Sequence, residues 1–341
     1  MKRAFLAFCL ALFHGALLCH AGQAVVYYAQ NYDALDDYQQ NRAAIRKMVD
    51  AVVCEVTGQP SPAAAWGSLV KPSERVGIKV SAAGGRDFST HRALVDAIVE
   101  GLADAGHPRQ NILVWGRDEA GLAAAGYRKG DVPYAVRSIE PGVGYDRQAV
   151  FTAPVLGKLI WGDLLFVGNK SSESDEPAQL SSVSHFSKIL VHEVDRIINV
   201  PVFSDAQCGV AGCIYNVTIP DIDNWRRLLQ PPAFGDPALC ELYADPRIGP
   251  KVVINIMDAL LAQYAGGPRF EPNYSLDFGA IYAGKDPVAI DATALRRIDQ
   301  WRKGKNLPSV ADRAHYLQTA AAGGLGQFAP ENITLKEVSL R

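Results

Sequence analysis

The chain has 341 residues, a near-average apolar content of 48%, and 34 basic against 36 acidic side chains, for a formal net charge of −2. This length supports a large hydrophobic core in one large domain or two closely joined ones. The balanced charge shows no basic excess of the kind typical of nucleic-acid-binding proteins, so we predict no nucleic-acid partner.

Residues 1–24 have the pattern of a secretory signal peptide. Lys2 and Arg3 form a charged start, an apolar run follows, and small residues at Ala21 or Ala24 permit cleavage. The run is short for a membrane span; a retained anchor helix is the alternative. We therefore expect an exported protein, periplasmic or secreted, with no stable membrane span. Cleavage removes two bases and no acid, which changes the net charge from −2 to −4.

Export to an oxidising compartment makes the remaining cysteines informative. After cleavage four remain: Cys54, Cys208, Cys213 and Cys240. An even number is compatible with disulfides, and Cys208 and Cys213 are close enough in sequence for a local one. Buried free thiols are the main alternative. The spacing is not CxxC, which disfavours thioredoxin-like and zinc-ribbon sites.

Hydrophobic periodicity predicts a helix followed by a βαβ unit early in the chain. Apolar residues recur every three or four positions over 38–57, which indicates a helix with one buried face. Residues 76–80 and 111–115 read as strands, and 89–105 between them as a helix that ends at Gly106. The crossover of this unit should be right-handed.

The sequence from 121 to 194 predicts less regular structure. We expect a short helix at 122–127, a strand at 160–167 and an exposed polar loop over 169–184. A helix over 186–194 would then lead into the next strand.

Residues 195–216 form the centre of the predicted site. Residues 197–200 are apolar and β-branched, as expected of a buried strand. Pro201 should end the strand, because proline cannot donate in a central sheet ladder. A loop carrying Asp205 is then expected, followed by Asn216. Open α/β sheets bind ligands at such carboxyl ends of buried strands.

The rest of the chain continues the alternation of strands and helices. We predict a helix over 221–230, a strand over 252–257 that ends in Asp258, and a strand over 278–283. A helix then begins with Asp286 as its N-cap. This pattern predicts an α/β fold with a mostly parallel sheet built from βαβ units and helices on both faces.

The stretch 195–216 resembles the signature of the domain of unknown function 362 family. In that family an Asn-Val-Pro strand leads to a loop with Lys, Asp and His, then to Gly-Val and a Lys-Asn pair. This sequence keeps seven of those positions: Asn199, Val200, Pro201, Asp205, Gly209, Val210 and Asn216. It differs where the family carries charge, with Ser204 for the first Lys, Ala206 for the His and Tyr215 for the second Lys.

The resemblance extends over roughly residues 40–340. It includes the glycine-rich loop before His91, Asp258, and the segment 286–291. It implies one domain over 25–341, with a two-lobed form as the alternative. The chain has no ferredoxin-like cysteine cluster, so the resemblance is to a member without an iron–sulfur module.

The first candidate binding group is Gly84 and Gly85 followed by Ser89, Thr90 and His91. Free backbone amides and hydroxyls at a helix start suit a phosphate or carboxylate, and His91 suits general acid/base catalysis. The alternative is a helix cap after a flexible loop. The glycines do not form the GxGxxG fingerprint, so we do not predict dinucleotide binding.

The second candidate group is Asp205 with Asn216. Asp205 would act as the catalytic partner of His91, or it would form an Asx turn after Pro201. Asn216 would bind the ligand or satisfy buried backbone groups.

The third candidate group consists of acids and bases near strand and helix ends. Asp258, Asp286 and Asp291 would suit a hard cation if they came together, although the pattern favours Asp286 as a helix cap. Lys79 and Arg117 would supply positive charge, or would be ordinary surface residues.

Two classes of function follow. The first is a protein that binds a small anionic ligand or metal in a cleft at the strand ends. The second is an exported redox or carboxylate-transforming enzyme that uses His91 and Asp205. The sequence identifies no particular cofactor, metal or protein partner.

Overall fold

A ten-stranded sheet organises residues 22–153 and 182–340, which are the residues that the computed structural model describes. The strands are β1 (Ala24–Gln30), β2 (Leu35–Asp36), β3 (Gln39–Gln40), β4 (Val76–Val80), β5 (Ile112–Asp118), β6 (Ala135–Glu140), β7 (Tyr145–Thr152), β8 (Val183–Ser187), β9 (Arg196–Val200), β10 (Val202–Ala206), β11 (Gly209–Val210), β12 (Val252–Gln263), β13 (Ser275–Gly284) and β14 (Ile333–Glu337). The α-helices are α1 (Arg42–Thr57), α2 (Pro62–Leu69), α3 (Arg92–Asp104), α4 (Glu119–Ala124), α5 (Cys213–Thr218), α6 (Ala238–Ala244), α7 (Pro287–Gly304) and α8 (His315–Ala322).

The sheet is mostly parallel, as predicted. Its main path runs β14-β1-β13-β12-β9-β4-β5-β6, and β10 and β11 join it beside β12. All neighbours from β12 to β6 are parallel, whereas β13 is antiparallel to both β12 and β1. The predicted βαβ unit is confirmed as β4-α3-β5, whose two strands pair directly.

Two hydrophobic cores lie on opposite faces of this sheet. Side chains alternate between faces along a strand, so Ile197 enters one core and Ile198 the other. Helices α1 and α3 cover the core that contains Ile198. Helices α5, α7 and α8 cover the core that contains Ile197. Each fully buried isoleucine contributes about 1.5–3 kcal/mol relative to an exposed one, and the predicted helices on both faces are confirmed.

The segment predicted to be a helix over 186–194 has a different structure. Its start belongs to β8, which pairs antiparallel with β7, and a π-helix follows at Ile189–Glu193. The hairpin partner β7 lies more than thirty residues earlier in the sequence, so local periodicity does not reveal the pairing.

Two other predictions are also corrected. The expected loop after Pro201 is the strand β10, because β12 provides a parallel partner and Asp258 N donates to Pro201 O at 2.8 Å. The expected α-helix over 221–230 is replaced by 3₁₀ turns at Ile219–Asp221 and Arg226–Leu229. Asn224, with a left-handed φ of 44°, interrupts the helical path between them.

Some predictions fall outside the described residues. These are the strand at 160–167, most of the loop at 169–184 and most of the signal peptide. Within 22–153 and 182–340, no helix has the length and apolarity needed to cross a membrane.

Candidate functional site

A buried histidine–carboxylate pair lies where the loop after β4 meets β12. His91 is only 8% exposed. One oxygen of Asp258, Oδ2, accepts from the backbone N of His91 at 2.6 Å and lies 2.8 Å from its ring Nδ1. The other oxygen accepts from Leu260 N at 3.1 Å. A single carboxylate therefore fixes both the backbone and the ring orientation of His91.

The strand β12 sets the position of Asp258. The residue lies inside the strand, opposite Val202 of β10 and Ile281 of β13, and the strand continues to Gln263 rather than ending as predicted. The register with β13 shifts between Ala259 and Leu261. Such irregularities redirect side chains and are common beside binding sites.

The surroundings of His91 favour its charged form. Burial lowers the pKa of His91, but attraction to Asp258 and the hydrogen bond between them outweigh it, so the pKa rises above 6.5. Asp277 on β13 adds a weaker attraction. The imidazolium held by this buried carboxylate therefore persists to a higher pH than that of a free histidine.

His91 opens onto a cleft of about 620 Å³. This volume falls within the range of small-molecule sites. The charged side chains that line the cleft beside His91 are Arg42, Arg86, Arg92, Arg128, Asp87 and Asp131. The four arginines outnumber the two acids, so the lining carries a net positive charge even when His91 is neutral.

The buried Asp96 holds two of these arginines. Arg42 Nη2 lies 2.8 Å from Asp96 Oδ2, and Arg92 Nε lies 3.6 Å from the same oxygen. Arg92 also donates to Asp131 O at 3.1 Å. The guanidinium groups are therefore positioned before any ligand arrives, which reduces the entropy lost on binding.

A second cleft of about 570 Å³ adjoins β6 and shares Arg128 with the first. It contains no histidine, and its one acid, Glu119, is exposed. We therefore assign the candidate site to the cleft beside His91.

Ser89 and Thr90 hold the loop after β4 in place and do not cap α3, which corrects that prediction. Thr90 Oγ1 donates to Val200 O at 2.7 Å and accepts from Ser81 N at 2.9 Å. Ser89 Oγ donates to Gly85 O at 2.6 Å. Both hydroxyls already have partners within the protein.

The amides at the start of α3 are also engaged. His91 N donates to Asp258, and Ala93 N donates to Gln40 Oε1 at 2.8 Å. The sequence predicted an anion site on free amides here. The structure instead offers side-chain donors that line the adjacent cleft.

The glycines before α3 serve the turn itself. Gly85 has a left-handed φ of 71°, which few other residues adopt. A Cβ on Gly84 would lie 1.7 Å from the carbonyl oxygen of Phe88. This backbone therefore requires glycine at position 84 and favours it at position 85.

Asp205 has partners other than His91. Its Oδ1 accepts from Gly267 N at 2.8 Å, and Arg302 Nη1 lies 3.8 Å from its Oδ2. Burial raises the pKa of Asp205. The partner of His91 is Asp258, so the predicted pairing of His91 with Asp205 is wrong.

Asn216 belongs to a buried chain of three asparagines. It donates to Asn199 Oδ1 at 2.8 Å, and Asn199 donates to Asn255 Oδ1 at 2.8 Å. Asn216 also donates to Lys79 O at 3.3 Å. These bonds join α5 to β4, β9 and β12 behind the strand ends. Asn255 was missed, although an asparagine within an apolar strand is itself a signal.

Lys79 forms a second buried ion pair, with Asp221. Its Nζ lies 3.7 Å from Asp221 Oδ2 and donates to Val80 O at 3.1 Å. Burial lowers the pKa of Lys79 and raises the pKa of Asp221, while their mutual attraction opposes both shifts. Asp221 was not predicted, because no local pattern marks an acid that pairs 142 residues away.

Arg117 lies at the end of β5 and is partly buried. Its Nη2 donates to Glu140 Oε1 at 3.1 Å, and its guanidinium lies 5.2 Å from the centre of the Trp225 ring. The predicted positive charge at this strand end is present, but an acid and an aromatic ring already engage it.

The three candidate acids serve separate elements. Asp258 holds His91, and Asp286 caps α7 by accepting from Ala289 N at 2.8 Å, as predicted. Asp291 accepts from Cys213 N at 2.5 Å, and burial raises its pKa to about 7. In the part of the chain that the structure describes, no three His, Cys, Asp or Glu side chains gather in a way that could hold a metal ion.

The predicted disulfide between Cys208 and Cys213 is absent, and all four described cysteines are free thiols. Cys208 Sγ points to Val210 O at 3.6 Å, within the β10–β11 turn. Cys213 begins α5 beside Asp291. Burial raises the pKa of Cys208 to about 12, so this thiol stays protonated.

Comparisons with known proteins give a family match over part of the chain and indicate no activity. No curated protein matches it. A crystal structure of a protein from Thermotoga maritima is similar over 84% of this chain and 60% of that chain, with 11% sequence identity and a TM-score of 0.40. Residues 162–296 match the family model of a domain of unknown function, DUF362. This range contains Asp258 and follows His91 in the sequence. The match confirms, over residues 162–296, the resemblance seen in the sequence.

Proposed function

We propose that the protein binds a small anionic ligand in the cleft beside His91. The observation that carries this proposal is the buried His91–Asp258 pair opening onto a cleft lined by four arginines. Guanidinium groups present paired donors that match the oxygens of carboxylates, sulfates and phosphates. The ligand class is therefore a small molecule with at least one such anionic group.

His91 would donate to the anion through its second ring nitrogen, Nε2. Its Nδ1 is held by Asp258 at 2.8 Å, and Asp258 favours the protonated ring. A hydrogen bond from a charged donor stabilises a complex by about 1.5–3 kcal/mol. The same proposal places the protein outside the cytoplasm, because residues 1–24 have the pattern of a secretory signal peptide.

Calorimetric titration with sulfate and with succinate tests the proposal. We expect the wild-type protein to bind one equivalent and His91→Gln to bind roughly ten- to a hundredfold more weakly, as the lost charged hydrogen bond predicts. His192→Gln is the matched control. His192 also pairs with a carboxylate, Asp146, at 2.6 Å, but it is 60% exposed and does not line the cleft. Equal binding by the wild type and His91→Gln would remove His91 from the site.

The geometry also favours a second candidate, an enzyme in which His91 transfers a proton. An aspartate that fixes the Nδ1 side of a histidine leaves Nε2 oriented for acid/base work. Asp258, and not Asp205, would be the orienting residue. The test is deuterium exchange at the carbon beside a carboxylate of succinate in D₂O, followed by NMR. Exchange that requires His91 favours the enzyme; binding without exchange favours the binding protein.

A further inference from the structure

The hairpin formed by β2 and β3 has an unusual turn. Its two central residues, Asp37 and Tyr38, have left-handed φ values of 45° and 63°. Two-residue hairpin turns of this kind normally use Asn-Gly or Asp-Gly, because a side chain is strained there. A bulky residue at such a φ is an outlier, and outliers of this kind cluster at ligand-binding positions.

The turn brings Tyr38 to the cleft beside His91. Tyr38 lines that cleft and is 49% exposed, one of five exposed large apolar side chains that the structure describes. Phe270 supports it from behind, with ring centres 6.4 Å apart and planes at 79°. Phe270 in turn stacks on the buried Phe88 at 5.8 Å. An exposed ring with two rings behind it forms one wall of the charged cleft.

The hairpin is attached to the element that carries His91. Gln40 Oε1, at the end of β3, accepts from Ala93 N in the first turn of α3 at 2.8 Å. Asn41 N also donates to Ala34 O at 2.9 Å, which closes the hairpin at its base. Tyr38 is therefore held at a fixed position relative to His91.

We propose that the cleft selects anions carried on a flat aromatic ring, such as aryl carboxylates or aryl phosphates. This inference rests on the proposed function and names its ligand class. The arginines and His91 would bind the anionic group, and Tyr38 would pack against the ring. Offset or edge-to-face contact between aromatic rings adds stabilisation beyond that of the area buried. An aliphatic anion of equal size lacks this contact.

Benzoate and cyclohexanecarboxylate test the proposal, because they share charge and approximate size and differ in the aromatic ring. We expect the wild type to bind benzoate about two- to tenfold more tightly, as aromatic pair energies predict. Tyr38→Leu should lose this preference, and Tyr38→Phe should keep it. Leucine and phenylalanine meet the same backbone constraint at φ 63°, so the two variants differ only in the ring. Circular dichroism would check that both variants are folded.

The outcomes separate this inference from the proposed function. If the wild type binds sulfate and both carboxylates, but shows no preference for benzoate, the aromatic selection is wrong and anion binding stands. If Tyr38→Leu keeps the full preference, Tyr38 is not the selecting residue and the inference is overturned. If no anion binds to the wild type, both proposals fail together.

Discussion

Two of the buried pairs of a base and a carboxylate that the structure describes differ in their access to a cleft. His91 Nδ1 lies 2.8 Å from Asp258, and His91 lines a cleft of about 620 Å³. Lys79 Nζ lies 3.7 Å from Asp221, and both side chains are fully enclosed. Both pairs join distant parts of the chain. They differ in whether a ligand can reach them from a cleft.

The enclosed pair shows why buried charge alone does not identify a binding site. Trp115 Nε1 donates to Asp221 Oδ1 at 2.8 Å, and Ser187 Oγ donates to the same atom at 3.2 Å. These contacts fill the space around the carboxylate with protein. Structural ion pairs have shifted pKa values just as catalytic groups do, so the cleft is what distinguishes His91.

The largest effect is expected on stability, when the enclosed Lys79–Asp221 pair loses one member. Asp221→Leu leaves Lys79 buried without its carboxylate and Trp115 Nε1 without its acceptor. Removing one member of a buried pair typically lowers the free energy of unfolding by about 3–5 kcal/mol. Urea denaturation followed by circular dichroism measures this loss.

The double variant Lys79→Met/Asp221→Leu is the control for that experiment. It should lose less stability than Asp221→Leu alone, because no unpaired charge then remains in the core. A loss below about 1 kcal/mol for Asp221→Leu would mean that the pair behaves like an exposed one. The Lys79–Asp221 pair would then not be sealed from water.

A smaller effect, on ligand binding rather than on folding, is expected from a substitution in the His91–Asp258 pair, which opens onto the cleft. Asp258 raises the pKa of His91 above 6.5. The charge that binds the anion is therefore present at low pH and is lost as the pH rises through the folded-state pKa, which lies above 6.5. The same sign applies to the stability that the pair contributes. In Asp258→Asn the loss of charge should occur at lower pH, with sulfate affinity about tenfold weaker at intermediate pH.

Sulfate suits this measurement because its charge is constant between pH 6 and 9. Calorimetric titrations across this range should give two curves of similar shape, displaced along the pH axis. The ring signals of His91 in NMR report the same pKa independently. Identical curves for the wild type and Asp258→Asn would show that Asp258 does not control the charge of His91.

Much of the fold could be predicted because its elements have local signatures. The short apolar segments of β4 and β5 and the amphipathic face of α1 depend only on neighbouring residues. The strand β10 was missed because its partner β12 begins about fifty residues later. Pro201 has no N–H to donate to the sheet, yet its carbonyl oxygen still accepts a hydrogen bond from Asp258 N.

The sequence predicts residues of the candidate site, but it does not predict which of them contact each other. His91 and Asp258 were both identified, but 167 residues separate them, and no local pattern shows which acid meets the histidine. Asp205 was the nearer choice in sequence and the wrong one. Tyr38 was placed in a helix because the dipeptide Asp37-Tyr38 lacks the glycine that usually signals a hairpin turn.

The smallest effect on sulfate binding is expected at the solvent-exposed rim of the cleft beside His91. Arg86 lines the cleft but is 84% exposed, and its nearest acid, Asp87, lies 3.9 Å away. Exposed charges interact weakly because water screens them. We therefore expect Arg86→Gln to weaken sulfate binding only about two- to threefold at low ionic strength. The difference should vanish near 0.5 M NaCl, where the Debye length is roughly 4 Å.

Arg109→Gln is the matched control, because Arg109 is exposed and does not line the cleft. It should leave sulfate affinity unchanged at every salt concentration. If Arg86→Gln instead weakens binding a hundredfold and the loss persists in high salt, Arg86 folds over the bound anion and is desolvated there. The open site would then close around its ligand, and the distinction between the two pairs would hold only for the free protein.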